Sequence, residues 1–243
     1  MTYRFFLTGT DTDVGKTFVG CALLAHAADR GFTTLGLKPV AAGCHQSSAG
    51  LRNDDALRLQ AASSIMADYR EINPVQLEAA IAPHIAAEKE GQAEHLQVEK
   101  LRAHVERVLT DRQPEFAIVE GAGGWLVPLS STADRTETFA DLAVSLGYPV
   151  ILVVAMRLGC INHALLSCEA IQARGLKLAG WVANRPTAEV MAAEAENLAT
   201  LKRLVPAPLI GTIGYLADNE RIDAKAAAAE QISGLVEPVA SRE

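Results

Sequence analysis

A Gly-Lys-Thr triplet set between an apolar run and a helical pattern constrains this chain more than any other stretch. The loop reads Gly9-Thr10-Asp11-Thr12-Asp13-Val14-Gly15-Lys16-Thr17. Residues 3–8 (Y-R-F-F-L-T) before it read as a buried first strand, and residues 18–30 after it space their apolar positions as a helix does. Strand, Gly-rich loop ending Gly-Lys-Thr, and helix is the layout of a phosphate-cradling loop. Its successive backbone N–H groups can converge on phosphate oxygens, and the helix start adds free N–H groups and the positive end of a dipole. Lys16 supplies a mobile charge for the outer phosphates, and the Thr17 hydroxyl can ligate Mg²⁺. The usual pattern places four residues between its first Gly and the Gly-Lys pair. Gly9 and Gly15 are separated by five, so the loop is longer than usual or Thr10 takes the first position.

Beyond the loop, strands alternate with helices. Strand patterns fall at 34–38, 116–119, 149–155, 177–183 and 209–213. The most continuous is P-V-I-L-V-V-A at 149–155, the run expected of a central parallel strand covered on both faces. Helical patterns fall at 54–62 behind an Asn53 N-cap, and at 83–90, 98–109, 138–146, 160–174 and 188–205. Residues 39–51 read as a loop and 63–83 as irregular. The expected fold is therefore α/β: one domain over 1–243, a parallel sheet with helices on both faces and right-handed crossovers, the three-layer architecture of P-loop NTPases. The Ala-rich tail after about 217 reads as peripheral and helical.

Composition excludes several classes. With 22 Lys and Arg against 29 Asp and Glu, the net charge of −7 argues against a nucleic-acid or anionic-membrane surface as the main partner. No apolar run is long enough to span a bilayer, and the phosphate loop begins too early for a signal-peptide pattern. Cys21, Cys44, Cys160 and Cys168 lie far apart, with no C-x-x-C pair, which reads as buried free thiols in a reducing cytoplasm.

Ligands of open α/β sheets sit at the carboxyl ends of the strands. The polar and Gly-rich residues gather there: the phosphate loop, Lys38, Glu120 with Gly121-Ala122-Gly123, residues 157–162, and Asn184. Lys38 beside a phosphate loop points to anion binding. Glu120, placed near Thr17, would serve as a metal ligand, since Mg²⁺ takes one or two carboxylates plus phosphate oxygens and water. Asp55 lies in a helical first turn, where the dipole alone favours a carboxylate, so local sequence leaves its metal role open. Asp11 and Asp13 read as loop caps or as partners of a cation or an amine on the substrate. Asn184 could cap or read an adenine base. His163 reads as structural, Trp125 and Trp181 as packing. No Gly-x-Ser-x-Gly or Cys/His nucleophile pattern is present.

Taken in order, F-L-T-G-T-D-T-D-V-G-K-T, L-K-P-V-A-A-G, L-R-N-D-D-A-L, I-V-E-G-A-G-G-W, V-I-L-V-V-A-M-R-L-G-C-I-N-H-A, G-W-V-A-N and P-A-P-L-I-G closely resemble the dethiobiotin synthetase family over residues up to about 216. The resemblance implies a ligase of biotin synthesis. ATP, with Mg²⁺, drives closure of a ureido ring on 7,8-diaminopelargonate with CO₂, through a carbamate and its mixed anhydride with phosphate. It implies catalytic roles for Lys16 and Lys38, and Mg²⁺ ligation by Thr17, Asp55 and Glu120. ATP contacts would come from Asp13, Val14, Gly15, Lys16, Thr17, Phe18, Asp55, Glu120, Gly121, Ala122 and Gly123, and at the adenine end from Asn184, Arg185, Pro206, Ala207 and Pro208. Substrate positions are Thr12, Lys38, Ala42 and, from the other subunit of a homodimer, Gly159, Cys160, Ile161 and Asn162, at a helix start suited to a carboxylate tail. The chain departs from the family pattern at Ala42, where a hydroxyl residue is common, and at Thr212, where Glu is common. Asp13 replaces Glu, Arg185 replaces an acid of some relatives, and residues 130–137 form a slightly longer segment. A second reading is a nucleotide-gated dimeric switch ATPase of the partitioning type. Those loops carry an extra lysine near their start, where this chain has Gly9-Thr10-Asp11. A cobyrinic-acid-type amide synthetase is a third, with no room here for its glutaminase domain.

Overall fold

The computed structural model describes residues 2–131, 136–216, 228–229 and 231–233. Twelve strands and eight helices follow in chain order among them. They are β1 (Tyr3–Gly9), α1 (Lys16–Ala28), β2 (Thr34–Leu37), β3 (Val40–Ala41), β4 (His45–Ser47), β5 (Gly50–Arg52), α2 (Asp54–Ala62), α3 (Tyr69–Ile72), β6 (Val75–Gln76), α4 (Pro83–Lys89), α5 (Val98–Arg112), β7 (Phe116–Glu120), β8 (Pro128–Ser131), β9 (Thr136–Thr138), α6 (Phe139–Leu146), β10 (Val150–Ala155), α7 (Cys160–Ala173), β11 (Leu178–Asn184), α8 (Glu194–Leu204) and β12 (Leu209–Ile213). A short 3₁₀ turn spans Ala93–Leu96.

Six strands form one sheet in the order β12-β11-β10-β1-β7-β2, every pairing parallel. The central strands are apolar throughout because helices cover both faces. Period-two alternation sends Phe5, Leu7, Ile151 and Val153 to the core under α1, and Phe6, Val150, Leu152 and Val154 to the core under α5, α6 and α7. With β1 at the sheet's centre, the loop that follows it emerges between the ends of β7 and β10. The single parallel α/β domain expected from the alternating pattern is the fold observed.

Local chemistry sets the helix starts. Asn53 accepts from the backbone N–H groups of Asp55 and Ala56 at 3.0 and 3.3 Å. Thr138 and Asp141 form a reciprocal capping box on α6. The first turn of α1, by contrast, has no side-chain cap and no acidic residue; its N-cap is Gly15 at φ 86. The first turn of α7 is equally bare, behind Gly159 at φ 93.

Three expectations need correction. The loop at 39–51 contains β3 and the β4–β5 hairpin, and the irregular stretch at 63–83 contains α3 and β6. These pieces are held by distant partners: Lys38 N–H donates to Ile72 O at 2.9 Å, and the buried Asn73 amide donates to Lys38 O at 2.8 Å. The helix expected over 188–205 begins only at Glu194, because Ala193 adopts a left-handed conformation (φ 53) that a helix cannot continue through. The tail expected to be helical lies mostly outside the described residues. Of its described part, Ala228 and Ala229 are buried, Ala229 O meets His26 Nδ1 at 3.0 Å, and Ile232 bridges Gly211.

Candidate active site

The ends of β1, β2, β3, β7 and β11 and the starts of α1, α2 and α4 build a single cleft of about 870 Å³. Of the residues singled out in the sequence, Thr12, Asp13, Gly15, Lys16, Thr17, Phe18, Lys38, Ala42, Asp55, Glu120, Ala122, Gly123 and Asn184 line it.

The wall beside β2 and β7 is a buried charge cluster. Lys38, just past β2, is 4% exposed, and Glu120, the last residue of β7, is 0% exposed. The Lys38 ammonium donates to Glu120 Oε1 at 2.5 Å and to Gly121 O at 3.3 Å, and pairs with Asp55 Oδ2 at 3.3 Å. The Thr17 hydroxyl donates to the same Glu120 Oε1 at 2.8 Å. Burial opposes the charge on Lys38, but Glu120 and Asp55 outweigh it and hold the ammonium above the usual lysine range. Burial likewise opposes ionisation of Asp55, and the Lys38 charge, with Thr17 beside it, keeps that carboxyl below its ordinary value.

The phosphate-loop side is poised differently. Lys16 donates only to a backbone carbonyl, Asp11 O at 2.9 Å. Burial and the neighbouring Lys38 charge pull its pKa down to about 8, against the pull of Glu120, Asp55 and Asp13. An anion arriving between the two lysines would meet two buried cations, one of them without a carboxylate in hydrogen-bond contact.

A hard divalent cation fits this donor set. Glu120 Oε2 is buried with no hydrogen-bond partner among the described residues, a costly state for a carboxylate oxygen unless a ligand completes it. The Thr17 hydroxyl and the Asp55 carboxylate line the same cleft, and hydroxyl plus carboxylate oxygens suit Mg²⁺.

Other residues are placed elsewhere. Val14 is buried, with its carbonyl accepting from Asn184 Nδ2 at 2.8 Å. Gly121 packs its backbone under Phe6 and Phe139. The Arg185 N–H donates to Ile213 O, and its guanidinium lies 3.8 Å from Glu194. Pro206, Ala207 and Pro208 precede β12, at the opposite end of that strand from Ile213, which pairs with Asn184; they do not line the cleft. Gly159, Cys160, Ile161 and Asn162 open α7, also outside the cleft lining, with Cys160 buried and Leu158 before them 92% exposed. Asp11 needs no ligand amine to explain it: Oδ2 pairs with Arg157 at 2.5 Å and Oδ1 caps Thr12 N–H at 2.8 Å. Asp13 stays exposed on the cleft at φ 56.

Sequence reasoning missed part of the lining. Asn53 and Arg58 come from α2 and its cap, Pro186 and Thr187 from the stretch after β11, and Ala80, Ile81, Ala82 and Pro83 from the segment read as irregular. With Ala42 and Val127 the last four make one side of the cleft apolar. Arg58 was findable: it follows Asp55 by three positions on one helix, and residues so spaced share a face.

The sequence matches the family model described as an AAA domain over residues 3–222. It is 54% identical over 213 residues to the ATP-dependent dethiobiotin synthetase BioD of Cellvibrio japonicus (strain Ueda107), covering 88% of this chain and 90% of that protein. It is 47% identical over 219 residues to ATP-dependent dethiobiotin synthetase BioD 1 of Escherichia coli (strain K12), covering 90% and 93%. Among solved structures, a chain of the MinC:MinD cell division protein complex of Aquifex aeolicus superposes with a TM-score of 0.57 at 17% identity, covering 93% of this chain and 86% of that one. At that identity the likeness speaks for the fold alone. Identity near one half across nine-tenths of the length is a different matter, and by it the chain belongs to the ATP-dependent dethiobiotin synthetase family.

Proposed function

We propose that this chain is the ligase its relatives are named for: it closes the ureido ring of dethiobiotin from 7,8-diaminopelargonate, CO₂ and ATP, releasing ADP and phosphate in biotin synthesis. One observation carries the reading: Lys16 and Lys38 open on the same cleft, beside Thr17, Asp55 and Glu120. The diamine gathers CO₂ as a carbamate on one nitrogen, an anion that must approach another anion, the γ-phosphate. Two ammonium groups in a water-poor site lower the repulsion and stabilise charge as the phosphoryl group moves to the carbamate oxygen. The second amine then attacks the carbamate carbon, the C–N bond closes the ring, and the carbon–oxygen bond to phosphate breaks.

The triphosphate would lie on the loop from Asp13 to Phe18 and against Glu120 to Gly123, where the uncapped first turn of α1 offers its N–H groups. Thr17, Asp55 and Glu120 would hold Mg²⁺, which supplies positive charge at the phosphate oxygens. The base would follow the rim past Asn184 toward Pro186 and Thr187 rather than reach residues 206–208. Thr12, Lys38 and Ala42 flank the place of the diamine, and the apolar side formed by Ala80, Ile81, Ala82 and Val127 suits its methylene chain. Ala42 brings no side-chain hydrogen bond, so contact there is through the backbone and the methyl group.

A homodimer completes the substrate site in this proposal. The start of α7 in a second copy, at Gly159, Cys160, Ile161 and Asn162, would receive the carboxylate tail on its uncapped N–H groups. The exposed Leu158 and Leu166 beside it support an interface there. The enzyme would work in the cytoplasm, a reading supported by four buried cysteines in the thiol form, with Cys168 pushed up to about 11 by burial.

Phosphate release should require both the diamine and bicarbonate. Hydrolysis indifferent to the diamine and stimulated by DNA or lipid would overturn the assignment in favour of a nucleotide-gated switch.

A further inference from the structure

Two sides of the cleft meet at one side chain. Asn53, the N-cap of α2, is 9% exposed and lines the cleft. Its Oδ1 takes the free N–H groups of Asp55 and Ala56 in the first turn. Its Nδ2 donates instead to Ala42 O at 3.2 Å. The Asn53 backbone N–H donates to the Tyr69 hydroxyl at 2.7 Å, and that hydroxyl donates to Asn73 Oδ1 at 3.1 Å. Asn73 in turn holds the Lys38 carbonyl. The Arg52 guanidinium covers the Tyr69 ring, 4.2 Å from its centroid. Serine, aspartate and asparagine all cap helices well. Among them only asparagine accepts at the cap through one atom and donates through another. The cap alone therefore leaves the amide nitrogen unexplained, and Ala42 O is what it serves.

We infer that Asn53 is a positioning residue for the diamine: it fixes the Ala42 side of the cleft relative to the Asp55 wall. The inference rests on the proposed reaction, in which Ala42 flanks the diamine and Asp55 the cation. Gly43 follows Ala42 at φ 74, and the N–H groups of Gly43 and Cys44 donate to Ala79 O and Leu77 O at 3.2 and 2.9 Å. Those bonds tie Ala42 to the segment that runs on into Ala80, Ile81 and Ala82, the apolar side of the cleft. They set nothing relative to α2. The Asn53 amide makes that link. The exposed approach of His45 to Asp54, at 3.9 Å, is too loose and too wet to replace it. Lys38 keeps its anchor through Asn73 and Tyr69 to the Asn53 backbone, which any side chain at 53 leaves in place. Losing the amide leaves the Ala42 carbonyl unsatisfied and lets the apolar side shift, while Lys38 and the presumed cation ligands stay.

Two variants separate the pin from the cap. Serine caps a helix about as well as asparagine, but it ends one atom sooner and has no second arm for Ala42. Alanine loses both bonds. In the unliganded full chain, hydrogen exchange at the Gly43 and Cys44 amides should quicken about tenfold in Asn53→Ser, roughly what one lost hydrogen bond costs, with α2 exchanging as in the parent. Asn53→Ala should quicken exchange in both places. In turnover, Asn53→Ser should raise KM for the diamine about tenfold, with kcat within about threefold and KM for ATP and the Mg²⁺ dependence unchanged. A purely structural role would lower the melting temperature of both variants and leave the diamine KM of Asn53→Ser at the parent value, which would overturn the inference. So would equal rises in KM for ATP and diamine, or unchanged exchange at Gly43 and Cys44 in Asn53→Ser. The exchange measurement uses no substrate. A parent that hydrolyses ATP without needing the diamine would defeat the proposed reaction, and exchange would still decide whether Asn53 pins Ala42.

Discussion

Lys16 and Lys38 are buried ammonium groups in one cleft, and the chain treats them in opposite ways. Lys38 is clamped between Glu120 and Asp55 and held above the ordinary lysine range. Lys16 touches a single backbone carbonyl and is drawn down to about 8. The wall side thus carries its own counter-charge, whereas the loop side leaves a cation for the ligand to neutralise. A site for two anions gains from this division. In the proposed reaction the clamped lysine would keep a fixed position and a permanent charge where the reacting oxygens meet. The loop lysine, already charged below about pH 8, would hold its charge to higher pH once a triphosphate lies beside it. The contrast predicts different failures when each side is altered.

The largest effect belongs to the wall. Lys38→Ala should lower turnover by 10³-fold or more while a non-hydrolysable ATP analogue still binds within about threefold of the parent, the pattern of lost transition-state charge stabilisation. It should also destabilise the fold, since a buried ion pair broken on one side costs about 3–5 kcal/mol. Adding Glu120→Gln should restore much of the melting temperature and none of the turnover. Turnover near that of the parent in the single variant would remove Lys38 from the chemistry.

Glu120→Gln alone should act through the cation. Its Oε2 is a buried oxygen with no hydrogen-bond partner among the described residues, so the amide should shift the Mg²⁺ dependence of ATP turnover to roughly tenfold higher concentration, the scale of altered metal-site ligation. A superimposable Mg²⁺ titration would return Glu120 to a structural role as the base of the Lys38 clamp.

How much of this contrast the sequence revealed depends on what fixes each piece. Residues 149–155 and 116–119 were legible as strands because burial on both faces leaves an uninterrupted apolar run. Lys16, Lys38 and Glu120 were legible because strand ends and the Gly-Lys-Thr loop place them on one rim whatever the side-chain details. The clamp itself was not legible. Asp55 reads locally as an ordinary first-turn carboxylate, and only the packing of α2 against β2 brings it to Lys38. The β4–β5 hairpin, β3 and β6 were lost for the same reason: two- and three-residue strands carry no periodicity, and the bonds from Lys38 to Ile72 and from Cys44 to Leu77 that hold these pieces link residues far apart in the chain. Residues 206–208 looked like a site by motif, but register sets them at the wrong end of β12.

The loop side should show itself in pH. The sign follows from Lys16 alone. Below about 8 it carries its charge in the free protein, and above that value it loses it, while the clamped Lys38 stays charged. ATP affinity should therefore fall by several-fold between pH 7 and pH 9, since binding then requires proton uptake at Lys16. Lys16→Gln should be weaker throughout and flat over the same range. For the fold the same depression works the other way. The unfolded chain binds the Lys16 proton up to the ordinary lysine value, so this group makes the unliganded protein more stable as pH rises from about 8 toward that value. An ATP affinity independent of pH in the parent would show that Lys16 is not the cation that the ligand neutralises.

The smallest effect is the control that gives the contrast its meaning. Arg102 and Glu106 on α5 form a well-aligned pair at 2.9 Å, shorter than the Lys38–Asp55 contact, but both side chains are more than a third exposed. Water and salt screen such a pair, and ordering two long side chains offsets most of the attraction. Arg102→Ala should leave turnover, Mg²⁺ dependence and ATP affinity unchanged and move the melting temperature by less than about a degree. A larger loss there would mean that distance alone ranks these ion pairs. The wall lysine would then owe its importance to proximity, not to burial beside a fully buried carboxylate.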